Sequence, residues 1–182
     1  MLQGEQVTLR KVRQEELPTV YAWRFDVDNW VLTEDEPYVV PTFEQYVTEW
    51  RESSAQLYSA QFGMDVQGRL VGLCGLWGID LHNRFAHIGM SVGLEEHRGQ
   101  GAGRDALSVI TDYGFRLRGL NRLQLETLAV NEAMIRTAVS VGYREEGRLR
   151  EKAWVTGGFC DELVFGLLAS EWHGKGDGDE RG

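Results

Sequence analysis

Arg98-Gly-Gln-Gly-Ala-Gly-Arg104 joins an alternating run, Phe85 to Val92, to a stretch whose period is helical, Gly101 to Leu117. Over that helical stretch Ala106, Leu107, Ile110, Tyr113, Gly114 and Leu117 fall on one stripe. Glycines let the backbone turn tightly and approach a ligand closely, and a helix start leaves unpaired N–H groups and a partial positive charge facing outward. Such a turn binds phosphate, and Arg98 and Arg104 flank it in position to add charge-assisted bonds to the same anion. A turn needed only for strand-to-helix geometry would carry the same glycines. A Walker loop is absent, because Gly103 is followed by Arg104 and Asp105 rather than by Lys and Ser or Thr. A dinucleotide fingerprint is disfavoured, because the turn follows an antiparallel meander and not the first strand of a parallel unit.

On the N-terminal side of the turn, Tyr58 to Val66, Leu70 to Ile79 and Phe85 to Val92 read as a three-strand meander turned at Gln67-Gly68 and at Asp80 to Arg84. A first strand is expected over Gln6 to Val12, with a helix opening at Gln14-Glu-Glu16 that tolerates Pro18 in its first turn. Asp26 to Pro41 lacks clear periodicity and reads as a loop or short irregular helix, after which Thr42 caps a helix through Ser53. On the C-terminal side follow a strand over Arg122 to Val130, a helix from Glu132 to Val141 closed by Gly142, and two strands about the Thr156-Gly-Gly158 turn. The tail after Trp172 has nothing to bury, so residues 173–182 are expected to be disordered, leaving one domain over 1–172.

With 182 residues, 42% of them hydrophobic and 26% charged, one globular core is the default. The net charge of −9 suits a cationic partner better than a polyphosphate and argues against bulk nucleic-acid binding. No apolar stretch approaches the roughly 20 residues a bilayer span needs, and no basic-then-apolar leader follows Met1, so a soluble cytoplasmic protein with no membrane partner is expected. Cys74 and Cys160 each stand alone in an apolar segment, which signals neither a disulfide framework nor a metal site; both read as buried thiols.

Arg98, Gly101 and Gly103 fit the core signature of the GCN5-related N-acetyltransferase superfamily: Arg or Gln, two variable residues, Gly, one variable residue, then Gly or Ala. The run Ala86 to Gly101, then Asn131, then Gly142 to Glu151 resembles the branch that contains ribosomal-protein N-terminal and spermidine acetyltransferases, and the likeness spans residues 6–172 in element order. The resemblance implies a mixed α+β fold: a bent, mostly antiparallel sheet of six or seven strands, helices on both faces, and two parallel strands that splay to admit acetyl-CoA. It places the pyrophosphate on Gly99, Gln100, Gly101, Gly103 and Arg104, and gives the amides of Met90 and Val92 to the pantetheine and the thioester carbonyl. Asn131 matches an asparagine beside the pantetheine arm, while its local reading is a helix cap.

The same resemblance implies a base at His87, where many relatives have glutamate; a hydrogen-bonded sheet histidine is the plainer reading. Ala138 stands where many relatives have the tyrosine that protonates the departing sulfur, with Thr137, Ser140 and Tyr143 nearby in sequence. Trp30, Glu34, Asp35 and Glu36, together with the hairpin at Thr156 to Gly158, are candidates for the acceptor site, the acids equally readable as a solvated loop. The implied activity is transfer of acetyl from acetyl-CoA to a primary amine in a ternary complex, without a metal. That amine is a protein N-terminus, a polyamine or an amine-bearing small molecule. A non-catalytic acyl-CoA-binding module and a transferase of a larger acyl group such as succinyl are the alternatives, with a homodimer left open.

Overall fold

The computed structural model describes residues 1–33, 38–54 and 57–174. Its eight strands are β1 (Leu2–Gln3), β2 (Thr8–Arg10), β3 (Ala60–Val66), β4 (Arg69–Asp80), β5 (Phe85–Val92), β6 (Arg122–Leu128), β7 (Arg144–Val155) and β8 (Gly158–Leu168), in the sheet order β1-β2-β3-β4-β5-β6-β8-β7. Five α-helices are described: α1 (Leu17–Trp23), α2 (Val27–Thr33), α3 (Phe43–Ser54), α4 (Ala102–Asp112) and α5 (Glu132–Val141). The sheet is antiparallel except where β5 meets β6.

The meander forms where its turn residues place it. Gln67 and Gly68 both take positive φ, 53° and 86°, the pairing that suits a two-residue hairpin turn, and Asp65 Oδ1 accepts from the Gly68 N–H at 2.7 Å. Thr42 and Gln45 cap α3 reciprocally, the Thr42 N–H donating to Gln45 Oε1 at 2.9 Å and the Gln45 N–H to Thr42 Oγ1 at 3.3 Å.

The sheet has eight strands rather than six or seven because Leu2–Gln3 adds a short edge strand against β2. β2 is correspondingly shorter than Gln6 to Val12, since the N–H groups of Gln6 and Val7 donate to Asp105 Oδ2 of α4, at 2.7 and 2.9 Å, instead of to a neighbouring strand. Within Asp26 to Pro41 the residues 27–33 form a regular two-turn helix, α2. Asp26 starts it, accepting from the Asn29 N–H at 3.0 Å through Oδ1 and from the Trp30 N–H at 2.8 Å through its carbonyl. Residues 175–182 of the expected disordered tail lie outside the described residues.

Two apolar clusters cover the two faces of the sheet. Ala106, Leu107 and Ile110 of α4 pack with Met64, Leu76, Ile88, Leu123 and Phe165 of the strands in the larger one, which Ala138 of α5 joins. Leu70, next in β4 to the Val71 of that cluster, faces the other way and buries Val20 of α1 and Tyr46 of α3. Among the described residues no helix is long and apolar enough to cross a membrane.

Candidate active site

β5 and β6 pair in parallel over only three positions, Phe85 with Arg122, Ala86 with Leu123 and His87 with Gln124. Beyond His87 they part, and β6 pairs only on its far side, with β8. The phase of the β4–β5 ladder fixes which amides face the opening. The Gly93 N–H donates to the Val71 carbonyl at 2.9 Å, so in this antiparallel register residues 91, 89 and 87 exchange bonds with β4. Residues 90 and 92 therefore turn their backbone groups toward the gap. A cavity of about 790 Å³ occupies the gap, lined among others by His87, Met90, Glu126, Asn131, Lys152 and Glu162.

At one end of β5 the glycine turn has the conformation its sequence requires. Gly99 (φ 71°) and Gly101 (φ 91°) are left-handed, and Gly101 caps α4 without any side-chain acceptor, leaving the first N–H groups of that helix open to a ligand. Gly103 has no such φ; a Cβ there would lie 3.1 Å from Met90 Cε, a tight contact that a small shift of that flexible side-chain end relieves. Arg104 is exposed, and the structure records no partner for it among the described residues. Arg98 is placed differently. Its Nε donates to the Val92 carbonyl at 3.0 Å and its Nη2 to Asp26 Oδ2 at 2.7 Å, with a longer bond to the Gly93 carbonyl. The guanidinium thus pins the start of α2 to the end of β5 and holds the Asp26 carboxyl below the usual carboxylate range.

At the mouth of the gap His87 Nδ1 lies 3.1 Å from Glu126 Oε2, each side chain about a quarter to a third exposed, 32% and 24%. Gln124 donates to the other oxygen of Glu126, and Arg122 donates to Gln124 Oε1 at 3.1 Å and also bonds Glu146. Arg122, Gln124 and Glu126 are alternate residues of β6, so they share one face. With Nδ1–H donated to the carboxylate, the imidazole presents Nε2 as its free acceptor. Across the cavity Lys152 Nζ and the buried Glu162 stand 3.8 Å apart.

Asn131 caps α5, its Oδ1 accepting from the Met134 N–H at 3.1 Å; it also lines the cavity, and its Nδ2 donates to the Leu32 carbonyl of α2 at 3.2 Å. Ala138 is fully buried in the core. None of the hydroxyls near it in sequence is available: Thr137 and Ser140 donate back to the carbonyls of Ala133 and Thr137, and the buried Tyr143 hydroxyl bonds Thr111 Oγ1 at 2.8 Å. Burial pushes that phenol above its ordinary range. Trp30 is buried under Arg24, in a second cavity described below. Glu34, Asp35 and Glu36 lie outside the described residues. The β7–β8 hairpin reaches the cavity through Lys152 and Glu162, not through its Thr156 to Gly158 turn. Cys74 is a buried thiol, but Cys160 is only half-buried, its Sγ 3.3 Å from the Asp161 carbonyl.

A family model described as an acetyltransferase (GNAT) domain matches residues 6–144. YdaF of Bacillus subtilis, provisionally named a ribosomal N-acetyltransferase, is 29% identical over 147 residues, 80% of either chain. The spermidine N(1)-acetyltransferase of Vibrio cholerae is 28% identical over 108 residues, 59% of this chain and 62% of that one. Among solved structures, the Vibrio cholerae spermidine N-acetyltransferase in complex with CoA and spermine superposes with a TM-score of 0.84 at 23% identity, covering 91% of this chain and 97% of that one, a likeness of fold.

Proposed function

The chain belongs to the GNAT acetyltransferase family, an acetyl-CoA-dependent N-acetyltransferase, and from that premise we propose that it acetylates a primary amine by direct attack in a ternary complex, with His87 as the base and Glu126 as its orienting partner. The observation that carries the reading is the His87–Glu126 pair on the two parting strands, at one end of the row of open amides on β5. Acetyl-CoA, when bound, supplies a thioester whose carbonyl carbon accepts the amine. The residues present fit it: open N–H groups at the start of α4, a glycine turn with no side chain in the way, and the N–H groups of Met90 and Val92 that face away from β4.

An alkyl amine is mostly protonated near neutrality, so a proton must leave before attack. In the tautomer that donates Nδ1–H to Glu126, Nε2 is the acceptor left on this cavity-lining ring to take that proton directly or through one water. The Met90 and Val92 amides are oriented to stabilise negative charge on the carbonyl oxygen. Arg98 acts as a positioning residue, fixing the end of β5 through the Val92 carbonyl. With Ala138 buried and its neighbouring hydroxyls engaged, these residues offer no proton to a departing thiolate, and placement of the amine would carry more of the rate. The names of the relatives bring a ribosomal protein and a polyamine forward as acceptors; an amine-bearing small molecule is equally compatible with a cavity of this size.

His87→Ala is expected to lower kcat about 10²-fold or more while acetyl-CoA affinity stays within about threefold. Glu126→Gln should lower kcat less, because it weakens the acceptor that orients the imidazole while keeping the shape of the side chain. Turnover near wild type in both variants, measured as amine-dependent release of CoA thiol, would remove the pair from the chemistry.

A further inference from the structure

Beside the gap a second cavity, of about 290 Å³, is walled by α1, α2, α3 and the sheet. Thr33, Ser53, Gln61, Leu73 and Ser91 line both cavities, so the two adjoin along these side chains. Its floor is an unusual combination of donors. The Arg24 guanidinium carbon stands 4.5 Å from the ring centre of Trp30 and 5.5 Å from that of Tyr46. Arg24 Nε and Trp30 Nε1 are both buried, and neither has a hydrogen-bond partner among the described residues. Trp30 itself is 6% exposed. Glu49 lines the same space, but it is exposed and forms no ion pair with Arg24. Asn29 has already committed its amide to Ser91 Oγ at 3.0 Å.

A stacked guanidinium and an indole N–H left without acceptors are costly in a folded protein unless something with oxygen lone pairs completes them. A carboxylate matches both requirements: its two oxygens accept the fork of Arg24 and the single N–H of Trp30, and its charge compensates a cation that the described residues leave unpaired. We propose that this cavity is the anion pocket of the acceptor site, so that the amine substrate is one that carries a carboxylate a few bonds from its nitrogen. The proposal rests on the N-acetyltransferase reading above and adds the chemical class of the acceptor. Amine and carboxylate would lie in the larger and smaller cavities respectively. A polyamine extended in the same direction would set an ammonium against Arg24. Two sources supply this chemistry: a free amino acid, and a peptide N-terminus with an acidic side chain close by.

The test compares matched amines in the intact enzyme by thiol release from acetyl-CoA: 4-aminobutyrate against 4-aminobutyramide, a short peptide with Glu among its first residues against its Gln counterpart, and spermidine. The expected result is a kcat/KM at least tenfold higher for the carboxylate member of one pair, with the responding pair identifying the source. Arg24→Gln should erase that ratio through KM while leaving kcat/KM for the neutral member within about threefold. If Arg24→Gln fails to fold, Arg24→Lys takes its place and should cut the ratio by losing the planar fork. Equal rates within each pair, a preference for spermidine, or a ratio that survives loss of Arg24 would overturn the anion pocket and leave the acetyltransferase standing. No turnover of any amine, with no response to His87→Ala, would instead overturn the acetyltransferase reading and this proposal with it.

Discussion

Ala138 has no accessible surface and points among core side chains rather than into the gap. Introducing tyrosine there adds a ring to a packed interior, so Ala138→Tyr is expected to destabilise by about 1–3 kcal/mol and lower Tm by several degrees, without gaining a proton donor. Thermal melting beside steady-state kinetics checks it; higher turnover with an unchanged Tm would show that the site opens to admit the phenol. The sequence could place His87 on a central strand but could not reveal its partner, because Glu126 is 39 positions away and meets it only through parallel pairing. A faint sign was present in Arg122-Leu-Gln-Leu-Glu126, whose polar residues alternate and so line up on one face. Arg98 was legible as a motif residue, yet its pairing with Asp26, 72 positions earlier, depends on where α2 docks.

At the scale of elements, the glycine turn is the part whose conformation follows most directly from composition. Gly101 sits at φ 91°, where a β-branched residue is strained whatever the space around it. Gly101→Val should therefore distort the start of α4 and weaken acetyl-CoA binding tenfold or more, about 1.4 kcal/mol, as read by calorimetry. Unchanged affinity in a folded variant would place the pyrophosphate elsewhere. The helix α2 shows the opposite case. Only Trp30 of its seven residues is buried, so no apolar period marks it, and what holds it is the cap at Asp26 and the Arg98 and Asn131 bonds from distant elements. Its one local sign was Asp26 three residues ahead of Asn29, which a reading by periodicity passes over.

Across the whole molecule, Arg10 ties β2 to both ends of the N-terminal half. It bonds Glu16 at 2.7 Å in the turn before α1 and Asp65 at 2.8 Å beside the first hairpin, all three side chains 12–13% exposed. The Arg10 guanidinium, with help from Arg13, holds the Glu16 carboxyl well below the usual carboxylate range against the opposing effect of burial. A depressed folded-state value contributes stability above the unfolded carboxylate range and loses it as pH falls below that range. Glu16→Gln should therefore cost on the order of 2 kcal/mol at neutral pH and flatten the acid side of the stability curve, which denaturant titrations at several pH values would show. A parallel downward offset at every pH would assign the loss to packing instead.

The short seam between β5 and β6 divides the sheet into five strands and three, joined by three register pairs. In heavy water that arrangement has a signature of its own. The Met90 and Val92 amides, strand by sequence and unpaired by position, should take up deuterium faster than the Ser91 and Gly89 amides between and beside them. Within β5, added acetyl-CoA should slow the fast pair selectively, turning the strand's alternating exchange pattern into a uniform one.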